Sequence, residues 1–367
     1  MTARPARLSA TLREREQVTP LELFFDLVFV LALTQCTALM ADVPTWQGIG
    51  QAMLILGVLW WSWVGYAWLT SVVDPEEGVV RITMFVAMAA LLVAALCVPE
   101  AFGDLGLLFA CVYAVVRLAQ IALFTIASRD DPRLRASVRG LAISTVLGTG
   151  ILVGASFADD WLQAGLWVLA LGLDMGGPAL FGSEGWKLSP EHFAERHGLI
   201  IIIALGESIV AIGVGAEHGV DAWVVAAATL GVAVAAAQWW LYFDVVALVA
   251  ARRLVQAAEG REQNEIARDS YSFLHFPMVA GIVLVALGLK KTLEHTGEPL
   301  KVEVATALLG GAALYLLAHV AFRWRNVHRL SVQRIVCALA MCALIPLATE
   351  LDALVTVSFV VALLAAL

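Results

Sequence analysis

Long apolar runs alternate with short charged connections along the whole chain. A helix needs about 20 apolar residues to cross a bilayer. Such runs fall near 20–40, 49–73, 81–98, 105–128, 140–158, 161–181, 195–215, 221–250, 271–291, 302–322, 331–350 and 352–367. The last is short, so the pattern predicts an all-α polytopic membrane bundle of eleven or twelve spans. Thr19 and Pro20 suit the start of the first span: a threonine hydroxyl can cap a helix, and proline at the first helical position loses no hydrogen bond. The longest connection, about 251–270, is rich in Glu, Arg and Gln and reads as a helix lying over the membrane surface.

If the spans alternate in direction, all but four of the 23 basic residues fall on one side. The exceptions are Lys290, Lys291 and Lys301 on the other side and Arg117 within a span. The positive-inside rule then puts the N-terminus in the cytoplasm. This organisation is a cytoplasmic segment 1–18, a six-helix half 19–181 and a second half 182–367. Trp60-Trp61 with Tyr66, and Trp239-Trp240 with Tyr242, lie at corresponding places in the halves and suggest a 6+6 parallel pseudo-repeat. The alternative is that such aromatics gather at membrane interfaces anyway.

Composition agrees with the membrane reading. The chain is 61% hydrophobic and 15% charged, against roughly 45–50% and 25% in soluble domains. Its net charge of -8, with scattered basic residues, excludes a nucleic-acid partner. The five cysteines lie in apolar runs without a CxxC pair, so neither disulfides nor zinc are expected. His192 and His197 are five residues apart and do not share a helix face, so no metal is expected there either. No cleavable signal peptide, nucleophile elbow or phosphate loop is recognisable, so neither an enzyme nor a cofactor is expected. The expected partners are the lipid bilayer and a small solute or ion; oligomeric state is not fixed.

The candidate chemistry is carried by ionisable residues inside spans, where unpaired charge is expensive. Glu207 lies twelve residues past Glu195, about 18 Å along a helix and near mid-membrane. It reads as a proton or cation site, with Arg117 as its partner, or as a buried acid simply paired with that arginine. Asp174 precedes Gly176-Gly177-Pro178, a run expected to unwind or end the sixth span. Glu22 and Asp26 are four apart and share one helix face. Together with Arg81, Asp174, Glu195, Arg196, Asp244 and His275 they belong to the cytoplasmic half. There they either pair with one another or line a wet path toward Glu207. Trp60, Trp61, Trp239, Trp240 and Tyr242 would line that path, or else form interface belts and packing.

Three stretches together resemble the bacterial low-temperature-requirement protein A family: Leu21-Glu22-Leu23-Phe24-Phe25-Asp26-Leu27, Glu195-Arg196-His197-Gly198 through Gly206-Glu207-Ser208, and Trp239-Trp240-Leu241-Tyr242-Phe243-Asp244. His275-Phe276-Pro277 adds a fourth. The resemblance implies a multi-pass protein of the bacterial inner membrane, with acidic motif residues at Glu22, Asp26, Glu207 and Asp244. It carries no named reaction. Two functions are therefore expected: from the residues, a proton- or cation-coupled transporter of a small solute; from the family name, a non-transporting sensor or scaffold linked to cold or lipid state.

Overall fold

Each apolar run folds as helix. A computed structural model describes residues 17–180, 185–217 and 219–367; Arg4, Arg7, Arg13 and Arg15 lie outside them. The helices are α1 (Pro20–Asp42), α2 (Trp46–Val72), α3 (Gly78–Cys97), α4 (Gly106–Ala127), α5 (Pro132–Ala155), α6 (Asp160–Leu180), α7 (Pro190–Gly215), α8 (Ala222–Phe243), α9 (Val246–Gln256), α10 (Arg261–Ile266), α11 (His275–Glu294), α12 (Val302–Val327), α13 (Val332–Ala348) and α14 (Ala353–Ala365). A π-helical turn, Ala267–Phe273, joins α10 to α11. Among the described residues nine helical runs are long and apolar enough to cross a membrane. The other three expected spans are α6 and the shorter α13 and α14.

Local chemistry explains the boundaries that differ from expectation. The Asp131 carboxylate accepts the N–H groups of Arg133 and Leu134, and Pro132 follows it, so α5 begins well before residue 140. The eighth run is not one helix to residue 250. It stops at Phe243, and after Val245, whose backbone is not helical, it restarts as α9, a short amphipathic helix bearing Arg252 and Arg253. The surface helix expected over 251–270 is accordingly made of three pieces: the end of α9, α10 and the π-helical turn.

The expected break in α6 does not occur: the helix runs through Gly176, Gly177 and Pro178 to Leu180. Pro178 forfeits one hydrogen bond near a helix end, where the loss is small. Gly177 serves packing instead. A side chain at Gly177 would collide with Ser144 on α5, and a Cβ at Gly148 would lie 3.0 Å from Asp174 Cβ on α6. Small residues let these two helices approach closely, as membrane helices do where apolar burial supplies no drive.

The chain divides into two compact units that interleave along the sequence. The first comprises residues up to Phe29, Val58–Glu195 and Ala258–Glu265; the second comprises Val30–Gly57, Arg196–Ala257 and Ile266–Leu367. In the first unit, aromatic packing fills the core: Phe25 stacks on Tyr66, Trp60 on Trp63, and Phe102 on Trp167. On the same helix as Phe25, Phe24 and Leu27 point outward, an arrangement suited to lipid rather than water. In the second unit α12 packs on both α11 and α13, and α14 packs on α8. The tryptophan pairs of the suggested repeat do not share an environment. Trp60 and Trp61 are buried, whereas Trp239 and Trp240 are exposed.

Candidate functional site

Among the described residues, buried acids appear in three distinct settings, two in the first unit and one in the second. At the start of α1, Thr19 and Glu22 form a capping box: Glu22 Oε2 accepts the Thr19 N–H at 2.8 Å, while the Thr19 hydroxyl accepts the Glu22 N–H. The other carboxylate oxygen, Oε1, lies 2.8 Å from His192 Nε2 on α7. One turn further, Asp26 Oδ1 accepts the Trp63 indole N–H at 2.8 Å. The two acids do share a face, as their spacing required, but each is bound to a different partner.

The second setting holds Arg117 and Asp174. Arg117 Nη2 and Nε donate to the two carboxylate oxygens at 2.7 and 3.1 Å, a bidentate pair. The Thr145 hydroxyl donates to Oδ1 and the Tyr113 hydroxyl to Oδ2, both at 2.9 Å. Arg117 Nη1 also donates to Gln120. Both charges are buried, and each of these carboxylate contacts comes from α4 or α5. The expectation that Arg117 partners Glu207 is therefore corrected. Its guanidinium is taken up by Asp174, because only Asp174 meets it with a full set of supporting donors. A fully satisfied buried ion pair of this kind fixes helix register.

The third setting is Glu207, on α7 in the second unit, 1% exposed. Its Oε2 lies 2.5 Å from the Thr34 hydroxyl on α1, and Thr37, one turn on, is also within hydrogen-bonding reach. The Thr34 hydroxyl lies 3.2 Å from the Val30 carbonyl as well. With one proton to give, it either donates to Glu207 or donates to Val30 and accepts from a protonated carboxyl. Among the described residues Glu207 forms no ion pair; Lys290 is the cation whose charge reaches it. The neighbouring Ser208 hydroxyl is buried without a partner. Glu207 thus differs from Glu22 and Asp174: its partners are hydroxyls, and its charge is not matched in contact.

A polar cluster in the same unit was not foreseen beyond His275 and Tyr242. The His275 Nδ1–H donates to the Ser270 carbonyl at 3.0 Å, which leaves Nε2 to accept from the Tyr242 hydroxyl at 2.7 Å. Tyr271 stacks on His275, and His319 stacks on Tyr242. Tyr315 donates to the Gln238 carbonyl. The remaining expected residues are more peripheral. Arg81 is exposed and bonds the Glu76 carbonyl, Glu195 is exposed and accepts the Val18 N–H, and Asp244 is exposed at the end of α8. Arg196 is buried. Thr34, Thr145, Tyr113 and His319 had no signal in the sequence, since a lone hydroxyl or imidazole in an apolar run looks the same with or without a partner. Among the described residues no cluster of three or more His, Cys, Asp or Glu side chains could hold a metal.

Nine apolar helical runs and, among the described residues, no named strand define an α-helical polytopic membrane protein. The chain belongs to a bacterial family: the model of the bacterial low temperature requirement A protein (LtrA) matches residues 17–367, nearly its full length. It is also similar to the "uncharacterized protein RA0937" of Rhizobium meliloti (strain 1021), 32% identical over 310 residues, covering 80% of this chain and 74% of that protein. No solved structure matches it.

Proposed function

We propose that this protein is a proton- or cation-coupled secondary transporter of a small solute in the bacterial inner membrane, with its N-terminus in the cytoplasm. The observation that carries this reading is the contrast between Glu207 and two other buried acids, Asp174 and Glu22. Asp174 is held by an arginine and two hydroxyls, and Glu22 by a histidine and its own cap. Such groups are bonded into the framework. Glu207 has hydroxyl contacts and no ion pair among the described residues. A proton or a desolvated monovalent cation is what neutralises a carboxylate so placed. The hydroxyls of Thr34 and Thr37 serve either, since each can donate to an anion or present an oxygen to a cation. Coupling then consists of filling and emptying this position as the solute crosses.

The test is solute-dependent proton or cation flux in proteoliposomes, comparing wild type with Glu207→Gln over pooled amines, small acids and monovalent and divalent cations. Solute-dependent flux in wild type that Glu207→Gln abolishes supports the reading. Undiminished flux in the variant refutes the role of Glu207. A second reading, a sensor or scaffold in the membrane, is favoured by the complete satisfaction of Asp174 and Arg117. It expects the acids to serve packing and no solute to drive flux through either protein.

A further inference from the structure

Where α8 turns into α9, the second unit contains a cavity of about 810 Å³, within the size range of ligand pockets. Its lining is apolar at Val245, Val249 and Phe322 and basic at Arg323, Arg329 and Arg334, which come from the C-terminal end of α12, the following connection and the first turn of α13. Among the described residues none of these three arginines forms an ion pair, although Arg325 on the same helix end binds Asp269. Asp244 lines the cavity too, and it bonds none of them. Arg323 and Arg334 are close enough for their charges to repel. One nitrogen of Arg334, Nη1, is buried without an acceptor. Three guanidinium groups lining one cavity against the single unbonded carboxylate of Asp244 leave net positive charge and form a site for an oxyanion, which they match by charge and by planar hydrogen-bonding geometry.

A second orphan specifies more. Asn326 is 6% exposed, and its amide nitrogen donates to the Phe322 carbonyl and the Ser270 hydroxyl, which fixes the orientation of the group. Its Oδ1 is buried, faces no donor, and belongs to a residue lining the cavity. An occupant carrying a hydroxyl beside its anion would satisfy it. The setting supplies the rest. Trp240 is 62% exposed at this cavity, and the cavity lies at the ends of apolar spans beside an amphipathic helix, the level of a membrane interface.

We propose that this cavity binds the head of an anionic phospholipid: phosphate on Arg323, Arg329 and Arg334, a head-group hydroxyl on Asn326, and an acyl chain along Val245 and Val249. The proposal does not depend on transport or on Glu207.

The test uses purified full-length protein in detergent, with native mass spectrometry counting bound lipid and the part of the tryptophan emission that Trp240→Phe removes followed on adding phosphatidylglycerol brominated in its acyl chain. Phosphatidylcholine and inorganic phosphate are the comparison ligands. Wild type should retain phosphatidylglycerol over phosphatidylcholine, and each arginine changed to glutamine should weaken retention about fivefold. Arg329→Gln, at an exposed position, tests this without risk to the fold. Asn326→Leu should reduce the preference for phosphatidylglycerol over phosphatidic acid, which lacks the hydroxyl-bearing head. Equal retention of phosphatidylglycerol and phosphatidylcholine by wild type overturns the proposal, as does retention unchanged by Arg329→Gln and Arg334→Gln. Inorganic phosphate displacing the lipid at equal concentration would assign the site to a soluble phosphate instead.

Discussion

Thr34 Oγ1 on α1 lies 2.5 Å from Glu207 Oε2 on α7, across 173 residues of sequence. That short contact is the closest partner of a buried carboxylate without an ion pair among the described residues, and it makes the hydroxyl as testable as the acid. Thr34→Val keeps the shape and removes the hydrogen bond. A hydrogen bond to a charged group is worth about 1.5–3 kcal/mol. Where Thr34 donates to the ionised carboxylate, its loss should strengthen proton binding about 10- to 100-fold. Where it presents its oxygen to a bound metal cation, its loss should weaken binding by a similar factor. The half-maximal ion or proton concentration for flux measures this. Thr34→Ser should reverse most of the shift.

The Arg117–Asp174 pair should behave in the opposite way. Arg117→Ala leaves a buried carboxylate with two hydroxyl donors and no cation, which is expected to destabilise by about 3–5 kcal/mol. The double variant Arg117→Met/Asp174→Leu removes both charges and should be more stable than either single change. Thermal melts of the four proteins in detergent give the coupling. Additive losses would mean that the pair is not a unit.

Packing over that pair makes a separate prediction. A Cβ at Gly65 on α2 would fall about 2.5 Å from Arg117 Nη1, whereas Gly50 on the same helix has open space around it. Gly65→Ala should cost about 1–3 kcal/mol through overpacking. Gly50→Ala should be neutral or slightly stabilising, since alanine is the better helix former. The same melting assay compares them, and equal effects would refute the close approach.

A pH dependence follows at the start of α5. The N–H of Leu134 first, and then Lys187 at 3.1 Å, hold the Asp131 carboxyl below the ordinary aspartate value of 3.8. A folded-state value below the unfolded one means that unfolding takes up a proton in acid. The stabilisation is therefore present above the unfolded value and is lost as pH falls through the folded one. Asp131→Ala should be less stable by about 1 kcal/mol near neutral pH, the usual loss for a helix cap. The gap between it and wild type should close in acid. Asp131→Asn should retain part of the cap at all pH values.

Much of the architecture was legible before any coordinates. The apolar runs became helices because a bilayer leaves backbone N–H and C=O groups no other partner than their own helix. Thr19 with Pro20 did mark the first helix start, and the spacing of Glu22 and Asp26 did put them on one face. The errors were local or long-range. Gly176-Gly177-Pro178 looked like a break because proline and glycine are helix breakers in isolation. In the folded chain Ser144 on α5 occupies the space that a side chain at Gly177 would take, and the helix persists. The run at 221–250 looked continuous because hydropathy carries no information on the non-helical backbone at Val245.

The sequence by itself determined the membrane class, nearly all helix positions, and that Glu207 is a buried acid, because each depends on hydropathy and on the period of one helix. Only the tertiary structure decided which charge meets which. Arg117 could have served any of several acids. It binds Asp174 because Tyr113, Thr145 and Gln120, from two neighbouring helices, complete that one site. Pairing in a membrane interior is set by which helices touch and at what height, and residues 57 or 173 positions apart carry no mark of it.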